Sequence, residues 1–245
     1  PWLELVLSLD WRQRHELLRL EVPLAQRADR WAADTSGGVL ERPAEPLTAR
    51  EDERWEVPVI SWMASCATDG GLAVLLDGPQ GVSARADRLG VSLLRAPTWP
   101  DPGADNGWQR LRLALLPSAA GWRAAAVPEQ ALAFREPLLL HRGEGRAAAG
   151  CADSRALPAL PSGVQLLGLR PLDAAGGRCG AVISLINTTP CRQAVDLGPA
   201  WMIVARLEGL DQPLGPDLSG ADEHLAGRLR LKPWEMGFWR ISAAA

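Results

Sequence analysis

Arg110–Leu116 reads RLRLALL, and Leu3–Leu9 near the start reads LELVLSL. Leu111, Leu113 and Leu115 alternate with Arg110, Arg112 and Ala114; Leu3, Leu5, Leu7 and Leu9 alternate with Glu4, Val6 and Ser8. A period of two places one set of side chains on each face of a strand, so both stretches read as half-buried β-strands. Leu18, Leu20 and Val22 against Arg19 and Glu21 repeat the pattern. Further strands are expected at 55–62, 72–76, 89–94, 164–169, 181–187, 202–205, 228–231 and 238–241, most bounded by Gly, Pro or Asp. Helix competes best at Asp10–Leu18, where Asp10 precedes a run of good helix formers. The expected class is all-β, with sheets packed on sheets.

Composition agrees. The 245 residues include 24 Gly and 20 Pro, above average usage but short of a disordered low-complexity chain. Such punctuation favours short strands joined by turns. The formal charge of −3 argues against a nucleic-acid protein. No polybasic segment suits an anionic membrane surface, and no apolar run reaches the length of a bilayer span. The chain opens at Pro1 without a charged-then-apolar leader, which suggests a fragment or a processed product of a cytoplasmic protein. Arg142–Gly163, RGEGRAAAGCADSRALPALPSG, has little periodicity and reads as a joint between a front part, 1–150, and a tail, 151–245. The five or six short strands of the tail suffice for a small sandwich.

Catalytic signatures are missing: no nucleophile elbow, no phosphate loop, no dinucleotide fingerprint, no zincin helix. His15, His141 and His224 lie far apart, and Cys66, Cys151, Cys179 and Cys191 match no metal or redox spacing. Cys179 and Cys191 could face each other across a hairpin, but free buried thiols suit a chain without an export signal better. Asn187-Thr188-Thr189 matches a glycosylation sequon, read here as chance. Trp55, Trp62, Trp201 and Trp239 sit in strand-like runs and are expected in the core.

The densest unusual segment is Leu93–Trp108, LLRAPTWPDPGADNGW. Three prolines lower the entropy cost of holding a loop in one shape. Arg95, Asp101 and Asp105 can pair with hydroxyls, and the faces of Trp99 and Trp108 can cover an apolar sugar face. The segment is therefore a candidate site for a polyhydroxyl ligand. The plainer alternative is a structural turn with an Arg–Asp ion pair and two half-buried tryptophans. Asp101 and Asp105 as the two carboxylates of a glycosidase is a poor third, since one short loop seldom flanks a scissile bond.

A family resemblance follows from these segments in order. Ser8–Leu24 (SLDWRQRHELLRLEVPL), Gly37–Pro43 (GGVLERP), Arg54–Met63 (RWEVPVISWM), Gly71–Val82 (GLAVLLDGPQGV), Val91–Trp108 and Leu111–Trp122 (LRLALLPSAAGW) resemble the C-terminal β region of class II α-mannosidases, glycoside hydrolase family 38. Leu185–Pro190 (LINTTP) and Leu231–Ile241 (LKPWEMGFWRI) resemble that family's last β-sandwich. The resemblance implies that 1–150 holds the later strands of a large galactose-mutarotase-like β-sandwich and 151–245 a small terminal one. It also implies a missing N-terminal barrel carrying an aspartate nucleophile, an acid/base carboxylate and a divalent metal, usually zinc. No cofactor is then expected in this chain. Its expected partners are an α-mannoside or oligosaccharide and the missing catalytic domain; edges cut from a larger sandwich could also pair copies into a homo-oligomer. Within the resemblance Arg95 is the residue placed to reach substrate, with Asp101 and Asp105 supporting its loop. Pro79-Gln80-Gly81-Val82 stands where relatives commonly read Lys-Tyr-Gly-Tyr, Gln109 follows Gly107-Trp108 where many have His, and Leu116-Pro117-Ser118 replaces a common Tyr-Pro-His.

Overall fold

The computed structural model describes residues 2–67, 70–136, 157–172, 180–209, 212–213 and 227–243. The chain divides into two compact units, Pro1–Leu138 and Leu139–Ala245. The division expected after residue 150, and residues 142–156 of the expected joint, fall outside the described residues; so do Cys151, Cys179, His141 and His224.

The first unit runs β1 (Leu3–Trp11), β2 (Leu18–Pro23), β3 (Arg30–Thr35), β4 (Gly38–Pro43), α1 (Ala49–Asp52), β5 (Val57–Pro58), β6 (Trp62–Cys66) and β7 (Gly71–Asp77). It continues with β8 (Gly81–Arg85), β9 (Arg88–Leu94), β10 (Gly107–Ser118) and α2 (Val127–Arg135). These strands form an antiparallel six-stranded sheet, β1-β10-β7-β6-β3-β4, and a four-stranded sheet, β2-β9-β8-β5. The all-β class is thus observed. The leucine alternation of β1 and β10 is used in register, Leu3 opposite Leu115, Leu5 opposite Leu113 and Leu7 opposite Leu111. Leu113, Leu76 and Val74 from one sheet meet Val82, Leu89 and Val91 from the other in a buried core.

The opposite face of the larger sheet is covered as well. Trp62, Leu75, Ala114 and Leu116 pack with Trp122, Val127, Ala131 and Phe134. Val127, Ala131 and Phe134 recur at helical spacing, and Pro128 sits in the first turn of α2, where its missing N–H costs nothing. Arg112 fastens this layer: its Nη1 donates to the Phe134 carbonyl at 2.9 Å, and its guanidinium carbon lies 4.0 Å from the Phe134 ring centre.

The second unit contains β11 (Val164–Leu172), β12 (Gly180–Asn187), β13 (Gln193–Asp196), β14 (Trp201–Leu207), β15 (Arg228–Leu231) and β16 (Met236–Ala243). A four-stranded sheet β11-β12-β16-β14 and a β13-β15 pair enclose Ile183, Leu185, Val195, Leu229, Trp239 and Ile241. Asn187 is fully buried: its Nδ2 donates to the carbonyls of Cys191 and Lys232, and its Oδ1 accepts from the backbone and hydroxyl of Thr189. The sequon asparagine is thus a structural bracket. Among the described residues no helix is long and apolar enough to cross a membrane.

Three local expectations are corrected. Asp10–Leu18 forms no helix, because β1 runs on to Trp11 and Asp10 binds Arg12 at 2.7 Å instead of capping a turn. Trp55 is half-exposed, since it precedes the two-residue edge strand β5, whereas Trp62, Trp201 and Trp239 are buried. Cys191 is free but exposed; Cys66 is free and partly buried.

Candidate functional site

The Leu93–Trp108 segment leaves β9 at Leu94 and enters β10 at Gly107. The two aspartates build the loop between them. Asp105 Oδ2 accepts hydrogen bonds from the backbone N–H of Arg95 at 2.7 Å and of Ala96 at 3.0 Å. Asp101 Oδ1 accepts from the Gly103 N–H at 2.8 Å, a local Asx-type turn. Ala96 and Asp105 both take left-handed backbone angles, φ 47° and 64°, and the Trp99–Pro100 bond is cis. With Asp101 and Asp105 turned onto backbone donors, the Arg–Asp ion pair of the plainer alternative does not form, and Arg95 keeps its guanidinium for the cavity it lines. The tryptophans are not half-buried either: Trp99 is 84% exposed and Trp108 78%.

The fold brings Arg95 and Trp99 together and leaves Trp108 apart. An open cavity of about 520 Å³ is lined by His15, Glu16, Trp55, Glu56, Arg95 and Trp99, with Leu17, Pro97 and Thr98 completing it. Trp108 instead follows Gly107 at the start of β10, opposite Asp10 of β1. His15 belongs to the β1–β2 loop, where helix competed with strand in the sequence. Its backbone N–H donates to the Ala96 carbonyl at 2.9 Å, and its Nε2 lies 2.9 Å from the Thr98 hydroxyl. These bonds stitch the β1–β2 loop to the proline loop.

The floor beside this cavity is a polar network on the outer face of the smaller sheet. Arg19 donates from Nη1 to Glu56 at 2.9 Å and to the Ser92 hydroxyl at 2.7 Å, and from Nη2 to Ser83 at 2.5 Å. Its Nε reaches Glu21 at 2.9 Å, and Ser92 also bonds Glu56. The guanidinium lies 5.0 Å from the Trp55 ring centre, a cation–π contact. Two glycines make room: a Cβ at Gly90 would collide with the Arg19 guanidinium, and one at Gly81 would stand 2.7 Å from Glu56 Oε1. Glu56 is therefore anchored as the acceptor of a cation and a hydroxyl.

His15, Glu16, Trp55 and Glu56 were missed by sequence reasoning. They lie some tens of residues from Arg95, and only the β2-β9-β8-β5 pairing brings them to it. The sequence did not mark Trp55 and Glu56, because 55–62 reads as one continuous strand, whereas the structure keeps only Val57–Pro58 as β5. Chemically, the arrangement offers two indole faces, a guanidinium and two carboxylates around an open space, which suits a ring with several hydroxyls. Among the described residues no group of three His, Cys, Asp or Glu side chains is placed to hold a metal ion.

Residues 1–103 match the family model described as "Glycosyl hydrolases family 38 C-terminal domain". Over 139 residues, 57% of this chain, the sequence is 33% identical to Alpha-mannosidase 2C1 of Homo sapiens, covering 13% of that enzyme. It is 31% identical over 120 residues, 49% of the chain, to Alpha-mannosidase G of Dictyostelium discoideum, covering 11% of it. The chain thus spans a small fraction of the length of these relatives. Among solved structures, an alpha-mannosidase from Enterococcus faecalis superposes with a TM-score of 0.73 at 17% identity, over 98% of this chain and 27% of that one. Residues 1–103 are thus similar to the C-terminal domain of glycoside hydrolase family 38, and the described chain shares the fold of the matched mannosidase region.

Proposed function

From the similarity of residues 1–103 to a family 38 C-terminal domain, we propose that the chain is the non-catalytic C-terminal β part of an α-mannosidase. In this reading it packs on the catalytic barrel of its parent and lines one wall of the cleft with the Arg95–Trp99 groove. The observation that carries it is the loop chemistry. Asp101 and Asp105 are consumed as backbone acceptors, leaving Arg95 and Trp99 on a shared cavity with Trp55 and Glu56. Retaining glycosidases use two carboxylates set across the scissile bond, and this reading assigns both, with the divalent metal, to the barrel. The parent then hydrolyses terminal α-mannosyl linkages, and Arg95 acts as a positioning group for a substrate hydroxyl. The free thiols of Cys66 and Cys191 support a reducing compartment, and we assign the parent to the cytoplasm.

The test is direct. The purified 245-residue chain, with zinc or cobalt added, releases no product from an aryl α-mannoside; metal-dependent turnover overturns the reading. In the parent enzyme, Arg95→Gln raises KM for a mannoside by about tenfold, the loss of one charge-assisted hydrogen bond. An unchanged KM removes Arg95 from the cleft.

A second reading is favoured by the exposure of Trp99 and Trp108. The chain would bind oligosaccharide by itself, as an accessory module. Titration with mannose oligomers, followed by tryptophan fluorescence, then saturates for the native chain and is abolished by Trp99→Ala.

A further inference from the structure

A second cavity, of about 250 Å³, opens at the side of the first unit where β4, an edge of the larger sheet, faces β5 and β8 of the smaller one. Its wall holds Trp31, Arg42, Glu51, Arg54, Trp55 and Arg85. Arg42 pairs in register with Trp31, so its side chain lies on the same sheet face as that core indole. Its guanidinium carbon stacks 5.1 Å from the Trp31 ring centre.

The charge balance of this wall is uneven. Arg85 has a counter-ion, Asp52, at 3.1 Å. Glu51 is committed to the Leu47 N–H through Oε2. Neither Arg42 nor Arg54 has a carboxylate partner among the described residues, although Arg42 is half-buried. A guanidinium taken out of water without an anion carries an unreturned desolvation cost, and here burial lowers the affinity of Arg42 for its proton. Guanidinium forks match carboxylate and phosphate oxygens, and stacking on an indole leaves the edge donors of Arg42 free for them. The remaining surface, Pro43, Pro46, Val57, Ala84 and the indoles, is apolar and suits a small ring or chain behind the anionic head.

We propose that this cavity is a binding site for a small organic anion, with the oxyanion held by Arg42 and Arg54 and the body of the ligand packed against Trp55. The site is separate from the Arg95 groove, touching it only through Trp55, which lines both.

Calorimetric titration of the whole chain tests this with glucose 6-phosphate, glucuronate, inorganic phosphate and neutral glucose. Saturable binding of glucose 6-phosphate or glucuronate is expected, and which of the two binds tells a phosphate ester from a carboxylate. Affinity falls with added salt, at least tenfold with Arg42→Gln and with Arg54→Gln, and is unmoved by Arg110→Gln on the exposed start of β10. Arg54 is exposed, so its variant keeps the test valid if the Arg42 variant fails to fold. Arg95→Gln leaves this binding intact, which separates it from the mannoside reading. The proposal is overturned if neither organic anion binds, if neutral glucose binds equally, if inorganic phosphate matches the organic anions, or if Arg54→Gln changes nothing.

Discussion

Asp105 holds the backbone of Arg95, not its guanidinium: one carboxylate oxygen accepts the N–H of Arg95 at 2.7 Å and that of the next residue at 3.0 Å. The carboxylate thus closes the two ends of the loop on each other and leaves the arginine side chain free. Asp105→Ala removes both acceptor bonds and places alanine at a left-handed φ of 64°. The expected loss is about 1–3 kcal/mol of local stability. Hydrogen exchange at the Arg95 and Ala96 amides is the measurement, and it should accelerate while the β10 core amides stay protected.

Phe134 ties the helix to the sheet from a fully buried position, with Trp2 edge-on at 5.8 Å between ring centres and Arg112 over its face. Phe134→Ala should cost about 3–5 kcal/mol, as other buried aromatic truncations do. Denaturant unfolding would show a lower midpoint, and a loss under 1 kcal/mol, roughly a conservative core swap, would mean that α2 is not part of the cooperative core.

The Arg112 hydrogen bond holds the Glu4 carboxyl below its ordinary value of 4.5. A depressed carboxylate stabilises the fold above its unfolded pKa, and that contribution is lost as pH falls through the folded one. Stability should therefore drop below about pH 4.5. Glu4→Gln should flatten that part of the profile and change little in acid. Unfolding midpoints at about pH 7 and about pH 3 provide the comparison.

Burial pushes the Cys66 thiol up to about 11, with the nearby Glu41 charge adding to the effect. Cys191 is exposed. Thiolates, not thiols, react, so at about pH 8 iodoacetamide should label Cys191 well before Cys66. Peptide mass spectrometry resolves the two, and equal rates would contradict the burial of Cys66.

Asn187→Ala leaves the carbonyls of Cys191 and Lys232 and the Thr189 backbone N–H without their bracket. Each of these part-buried hydrogen bonds is worth about 0.5–1.5 kcal/mol, so the second unit should unfold at a lower denaturant midpoint. Mass analysis after expression in a glycosylating host should show no sugar on native Asn187.

The strands were legible because period-two burial is local: LELVLSL and RLRLALL carry their face assignment within seven residues. Val127–Arg135 was not read as a helix, and Ala114, on the apparent outer face of β10, is buried only because that helix lies over it. The Arg95 loop was visible too, since its prolines, aspartates and tryptophans are contiguous, and Asp101 and Asp105 accept its backbone N–H groups. What surrounds Arg95 was not visible. His15 arrives through a β1–β2 loop with a left-handed residue, and Trp55 and Glu56 arrive through an edge strand of two residues. By itself, then, the sequence determined the all-β class and the loop that carries Arg95. Tertiary structure alone decided which side chains share a cavity with it, and that Arg42 stacks on Trp31. Periodicity reports which face a residue takes, whereas a site is made by register between strands distant in the chain.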